Sequence, residues 1–185
     1  MGSLDPGQRG WERSFPGMLA RDRMETIMAA DYREPVRVAI VDDQHIVREA
    51  LAALLEESGT AKVVGSYRHT DSALDDIGNR GAAAAIIGFD AQVNDPIVTV
   101  ARLARLHPTL PLCALVGPGQ PGRVHGAIAA GCGGAVSSSA TLDVVVAALQ
   151  ALASGQAYVD PKLGGQLLSA EFGARHYRPP VKPRE

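Results

Sequence analysis

The chain has 185 residues, of which 46% are apolar and 21% charged, with a formal net charge of −2. That size fits one ordinary domain with tails, and the composition excludes both a fully disordered and a fibrous chain. The near-neutral balance excludes a chain-wide basic field of the kind that non-specific nucleic-acid binding requires.

Residues 1–34 mix Gly, Pro and charges of both signs without a period of 2 or 3.6, which predicts a disordered extension, with Met24 and Met28 as alternative starts. VRVAIV (36–41) is a short β-branched run and predicts a strand. In the following HIVREALAALLEES, Ile46, Val47, Ala50, Leu51, Leu54 and Leu55 form an apolar helical stripe. AKVVGSY (61–67) is again strand-like, and TDSALDDIGNRG (70–81) reads as a helix opened by Thr70 or Asp71 and closed by Gly81. AAAAIIG (82–88) and LPLCALVG (110–117) are continuous apolar runs, as expected of strands buried on both faces of a parallel sheet. Between them PIVTVARLARLHP is a helix bounded by Pro96 and Pro108. VHGAIAAG (124–131) is a short helix, GGAVSS (133–138) a last strand, and TLDVVVAALQALASG a last helix with Ser139 or Thr141 as its cap and Gly155 as its terminator. The folded part therefore spans 35–165, and 166–185, with Pro179, Pro180 and Pro183, reads as a linker leaving the domain.

Five strands alternating with helices predict an α/β protein: a flavodoxin-like, doubly wound, five-stranded parallel sheet with helices on both faces. In such a fold ligands bind at the carboxyl ends of the strands. Asp42 and Asp43 fall there, after the first strand, where they either bind a hard divalent cation such as Mg²⁺ or cap the following helix. Cys113 and Cys132 show no CxxC spacing and read as small buried hydrophobes. The five histidines have no ligand spacing, no Gly-x-Ser-x-Gly elbow is present, and GPGQPG (117–122) is neither a dinucleotide fingerprint nor a P-loop, so an enzyme is not expected. With no leader peptide pattern and no long apolar run, the expected location is the cytoplasm, away from membranes.

VRVAIVDDQHIVREALAALLE, KVVGSY, LHPTLPLCAL, AAGCGGAV and ASGQAYVDPKL, in this order, resemble the receiver domains of NarL/FixJ (LuxR-type) response regulators, which have a CheY-like fold. The resemblance implies two acids that hold Mg²⁺, a phosphate-accepting Asp ending the third strand, a Ser/Thr after the fourth and a Lys after the fifth. Carried over, the acid pair is Asp42 and Asp43, while the acceptor falls on Gly88, the Ser/Thr on Val116 and the Lys on Ser138. The resemblance thus implies a degenerate receiver, independent of phosphorylation, in which Mg²⁺ binding is weak or lost. Two alternatives stand beside it. Asp90, two residues beyond Gly88, keeps the facing of a strand side chain and is an alternative phosphoacceptor. The former phosphorylation pocket over Asp42, Asp43, Gly88, Val116 and Ser138 is an alternative site for a small molecule.

Two further features concern partners. Between Arg123 and Asp160 the only formally charged residue is Asp143, and Val144, Val145 and Val146 span about 200° of the last helix, so they cannot all face a sheet. A homodimer through Val144, Val145, Ala148 and Leu152 is expected. The closing Val181-Lys182-Pro183-Arg184-Glu185 resembles the start of the helix-turn-helix domain of that regulator family, so DNA contact is expected only through a C-terminal domain absent from this chain.

Overall fold

A computed structural model describes residues 34–90, 95–118 and 120–169. The described residues from Pro35 onward form one compact unit. Six parallel strands, β1 (Val36–Val41), β2 (Ala61–Tyr67), β3 (Ala84–Gly88), β4 (Leu112–Val116), β5 (Gly134–Ser137) and β6 (Tyr158–Val159), lie in the order β2-β1-β3-β4-β5-β6. Parallel neighbours need crossovers, and helices supply them. These are α1 (His45–Glu57), α2 (Thr70–Asp76), α3 (Pro96–Leu106), α4 (Pro121–Ala130), α5 (Leu142–Ala153) and α6 (Pro161–Leu168).

The strands alternate their side chains between two cores. Val38 and Ile40 pack with Leu51 and Leu55 of α1 and Val145, Leu149 and Leu152 of α5. Ala39 and Val41 pack on the other face with Leu74 of α2, Val100 and Leu103 of α3, Val124 of α4 and Leu163 of α6. Burial on both faces is why β3 and β4 read as unbroken apolar runs. Among the described residues no helix is long and apolar enough to cross a membrane.

Several boundaries differ from expectation. The sheet has six strands, not five. β6 pairs with β5 through Gly134 and Ala135, and a Cβ at Gly134 would lie 2.8 Å from the carbonyl oxygen of Tyr158, so only glycine admits the sixth strand. The expected domain end at 165 falls inside α6, whose N-cap Asp160 accepts from the Lys162 N–H and is followed by Pro161 at the first helical position. The helix expected over 70–81 ends at Asp76, although Gly81 does adopt the left-handed conformation (φ +62°). Thr141 is the N-cap of α5, without a side-chain hydrogen bond. Residues 1–33 of the expected extension over 1–34, residues 170–185 of the expected linker over 166–185, and with them the closing Val181–Glu185 segment, lie outside the described residues, while 166–168 belong to α6.

Candidate functional site

The chain visits β2 on one side of β1 and β3 to β6 on the other, so the crevice where strand order reverses opens at the carboxyl ends of β1 and β3. Asp42 and Asp43 follow β1 there, and Gly88 ends β3 beside them. With Val41, Ile87, Pro96 and Thr99 these three line a cavity of about 10 Å³, the room of a single water.

Asp42 is buried, at 5% exposure. Its carboxylate Oδ1 accepts the backbone N–H of Gln44 at 2.8 Å, and its carbonyl accepts Nη1 of Arg48 at 2.7 Å. Burial is the main influence on this carboxyl and pushes its pKa up. The Gln44 N–H works the other way, the charge of Asp43 adds to the rise, and Arg48 and Asp90 make smaller opposing contributions. Thr99, also buried, donates its hydroxyl to the Asp95 carbonyl at 3.0 Å and pairs with the Thr70 hydroxyl at 2.7 Å, tying α3 to α2 beside the cavity.

The geometry around Gly88 is the centre of the site. A Cβ on residue 88 would lie 1.9 Å from Oδ2 of Asp42 and 2.4 Å from its Cγ. The carboxylate of Asp42 therefore occupies the space that any side chain at 88 would need, and residue 88 carries no nucleophile. Val116 ends β4 fully buried and offers no hydroxyl. Ser138 follows β5, with its N–H on the Val116 carbonyl at 2.8 Å. Neither lines the cavity, so the structure brings Asp42, Asp43 and Gly88 together and leaves Val116 and Ser138 on neighbouring strand ends.

Asp90 has a different setting. Its Oδ1 receives Nη1 of Arg123 at 3.0 Å, the same guanidinium donates to the Phe89 carbonyl, and Nε2 of Gln44 donates to the Asp90 carbonyl at 3.4 Å. Gly117 makes room for this, since a Cβ there would lie 2.6 Å from Oδ2 of Asp90. The Asp90 carboxylate is thus engaged by α4 and is not among the groups lining the cavity.

Asp42 gives one carboxylate oxygen to a backbone N–H and turns the other into the space at Gly88, and residue 88 supplies no third carboxylate beside Asp42 and Asp43. Among the described residues no three His, Cys, Asp or Glu side chains form a group that holds a metal.

The expected interface residues on α5 are corrected by their burial. Val145, Ala148 and Leu152 are 5%, 0% and 2% exposed and belong to the core beneath α1 and α5. Val144 alone stays partly exposed, and it and Val146 flank that same core. The 200° spanned by the three valines is accommodated because α5 packs on both the sheet and α1. The large exposed apolar side chains lie elsewhere, among them Ile46 and Leu54 on α1 and Val98 and Leu106 on α3.

Arg48, Gln44, Thr99 and Arg123 were not singled out from the sequence. Arg48 had a signal: it falls in phase with Leu51 and Leu55 on the buried stripe of α1, and a charge there implies a buried acceptor. Arg123 had none, since its partner lies 33 residues away. Both cysteines are free and buried, which pushes their thiols up.

No protein-family model matches the chain. The response regulator GacA of Pseudomonas protegens is 24% identical over 139 residues, 74% of this chain, and the chain spans 64% of the length of that protein. The signal receiver domain of the putative response regulator NarL from Mycobacterium tuberculosis superposes with a TM-score of 0.60 at 24% identity, covering 67% of this chain and all of that one. A structure of two RcsB dimers bound to two parallel DNAs matches with a TM-score of 0.65 at 20% identity, covering 78% of this chain and 72% of that one. The fold is that of a response-regulator receiver domain. In the crevice described above the Asp42 carboxylate lies against Gly88.

Proposed function

We propose that this chain is a pseudo-receiver: a NarL/LuxR-type receiver domain that regulates transcription without being phosphorylated. The observation that carries this reading is the carboxylate of Asp42 lying in the space of the missing side chain at 88. A receiver accepts phosphate on a carboxylate of its third strand end, and here residue 88 carries no side chain and the Asp42 carboxylate fills the room one would need. The engagement of Asp90 by Arg123, and a cavity with room for one water, support this reading over phosphorylation at Asp90 and over a metabolite in the former pocket.

In this reading the domain is a cytoplasmic, non-enzymatic regulatory and dimerisation module, and DNA is contacted by a domain outside this chain. The dimer role is supported by the RcsB likeness, a protein seen as dimers on DNA. Of the residues first expected at a dimer contact only Val144 is available, in line with Ala147 and Ala151 on the outer side of α5. The test is incubation with acetyl phosphate and Mg²⁺ followed by intact-mass spectrometry. No phosphoryl adduct is expected, and an adduct mapped to Asp90 would overturn the reading.

A further inference from the structure

The hold of the sheet on α6 passes through one residue. Asp160 is 3% exposed, and all four of its polar atoms are bonded. Its N–H donates to the Ala135 carbonyl at 2.9 Å and carries the β5–β6 pairing one residue past Val159. Its own carbonyl then leaves the sheet and accepts the Gly164 N–H at 2.8 Å in the first turn of α6. A continuing strand would have offered that carbonyl to the next β5 donor, the Ser137 N–H. The carboxylate takes over: Oδ2 accepts the Ser137 N–H at 3.2 Å, while Oδ1 accepts the Lys162 N–H at 2.8 Å and caps α6.

Beyond this joint α6 is weakly held. Leu163 is its one buried side chain, in the cluster that holds Val124 and Ala127 of α4, and Leu167 packs against that cluster. Gly164 and Gly165 stand side by side in the middle of the helix, and each disfavours a helix about fourfold to fivefold relative to alanine. Eight residues are too few for a helix to persist alone in water. Undocking of α6 and its unfolding are therefore one event.

We propose that α6 is a latch pinned by Asp160, which opens by local unfolding while the rest of the domain stays folded. Its eight residues are about 12 Å long as a helix and reach about 26–29 Å when extended, so opening lengthens the tether to the residues after 169 about twofold. Because Ser137 closes the pin from β5, a change at that strand end passes to α6 through a single hydrogen bond. None of the residues lining the Asp42 cavity takes part, so the latch does not depend on the pseudo-receiver reading.

The test is native-state hydrogen exchange of the full, ¹⁵N-labelled chain, followed by NMR at several sub-denaturing urea concentrations. The Gly164, Gly165, Gln166 and Leu167 amides are expected to be protected, yet to exchange at least about a hundredfold faster than those of Ala39, Ile87 and Ala114, and with little urea dependence, the mark of a small local opening. Asp160→Ala is expected to speed the α6 amides at least about tenfold. Asp160→Asn, which keeps one acceptor oxygen, is expected to fall in between and serves should the alanine variant not fold. A Cβ at Gly165 meets nothing within 4 Å, so Gly165→Ala is expected to slow the α6 amides about fourfold. Ile40→Val, in the core on the opposite sheet face, is expected to speed the three core amides about threefold to tenfold and leave α6 unchanged. The proposal is overturned if the α6 amides are unprotected, if they exchange at the rate and with the urea dependence of the core, or if the folded Asp160 variant leaves them unchanged. It is also overturned if Gly165→Ala does not slow them, or if Ile40→Val speeds them as much as it speeds the core.

Discussion

Gly88→Ala is the smallest change that tests the packing of the closed site. The added Cβ meets Asp42 Oδ2 at 1.9 Å and Cγ at 2.4 Å, so rotating the carboxylate in place is not enough and Cγ itself must move. Moving it breaks the bond to the Gln44 N–H, in a site with room for one water. Overpacking of this kind costs about 1–3 kcal/mol and the lost hydrogen bond about 1 kcal/mol, against ~0.5–1 kcal/mol regained because alanine restricts the unfolded chain. The net expectation is a loss of about 2 kcal/mol, or roughly 6–10 °C in melting temperature for a domain of this size. Asp42→Ala removes the carboxylate and leaves only the Asp42 Cβ, 3.0 Å from the new methyl. In that background Gly88→Ala is expected to cost less than ~1 kcal/mol, so the double-mutant cycle carries a coupling of about 1–2 kcal/mol. Urea unfolding at neutral pH, with a common m-value across the four proteins, measures it. Equal costs in the two backgrounds, or a neutral Gly88→Ala, would refute the contact.

Three other outcomes follow from the same geometry. Because burial raises the Asp42 carboxyl above its ordinary value of 3.8, the folded state favours the protonated form; the stability this gives is fully present below pH 3.8 and is lost as pH rises through the folded value. Asp42→Asn stays neutral and keeps an oxygen for the Gln44 N–H, so thermal unfolding is expected to show it more stable than wild type at pH 7, with the gap closing in acid. Arg123→Ala removes a half-exposed ion pair worth at most ~1 kcal/mol, so its melting point should hardly move, while hydrogen exchange at Phe89 and Asp90 rises. Leu152→Glu puts an unpaired charge into the core and should cost at least ~3 kcal/mol, whereas Val144→Glu should stay folded and, by sedimentation, shift any dimer toward monomer.

The strands β1 to β5 were legible because each is a compact apolar run between turn residues, and β2 matches its sequence segment residue for residue. β6 was not, since two residues cannot display a period of two. Its neighbour α6 did carry a signal in Asp160-Pro161, an N-cap followed by proline at the first helical position. The three valines of α5 misled for a different reason: helix periodicity says how wide an apolar face is, but not whether one neighbour or two cover it. At the site, the placement of Asp42 and Asp43 after β1 could be read from residue order, whereas Gly88 was singled out only through the family resemblance. The turn of the Asp42 carboxylate into the space at Gly88 could not, because it depends on β1 and β3 being neighbours and on a hydrogen bond made two residues further along the chain.

The most direct test of the central claim is the response of the backbone amides to beryllofluoride and Mg²⁺, a mimic of the phosphoryl group that needs an accepting carboxylate and a metal site. With no carboxylate at 88, Asp42 turned inward and Asp90 held by Arg123, the ¹H–¹⁵N spectrum is expected to stay unchanged at millimolar concentrations of both. Saturable shifts spreading from residues 42–44 and 88–90 into α4 and β5 would contradict it.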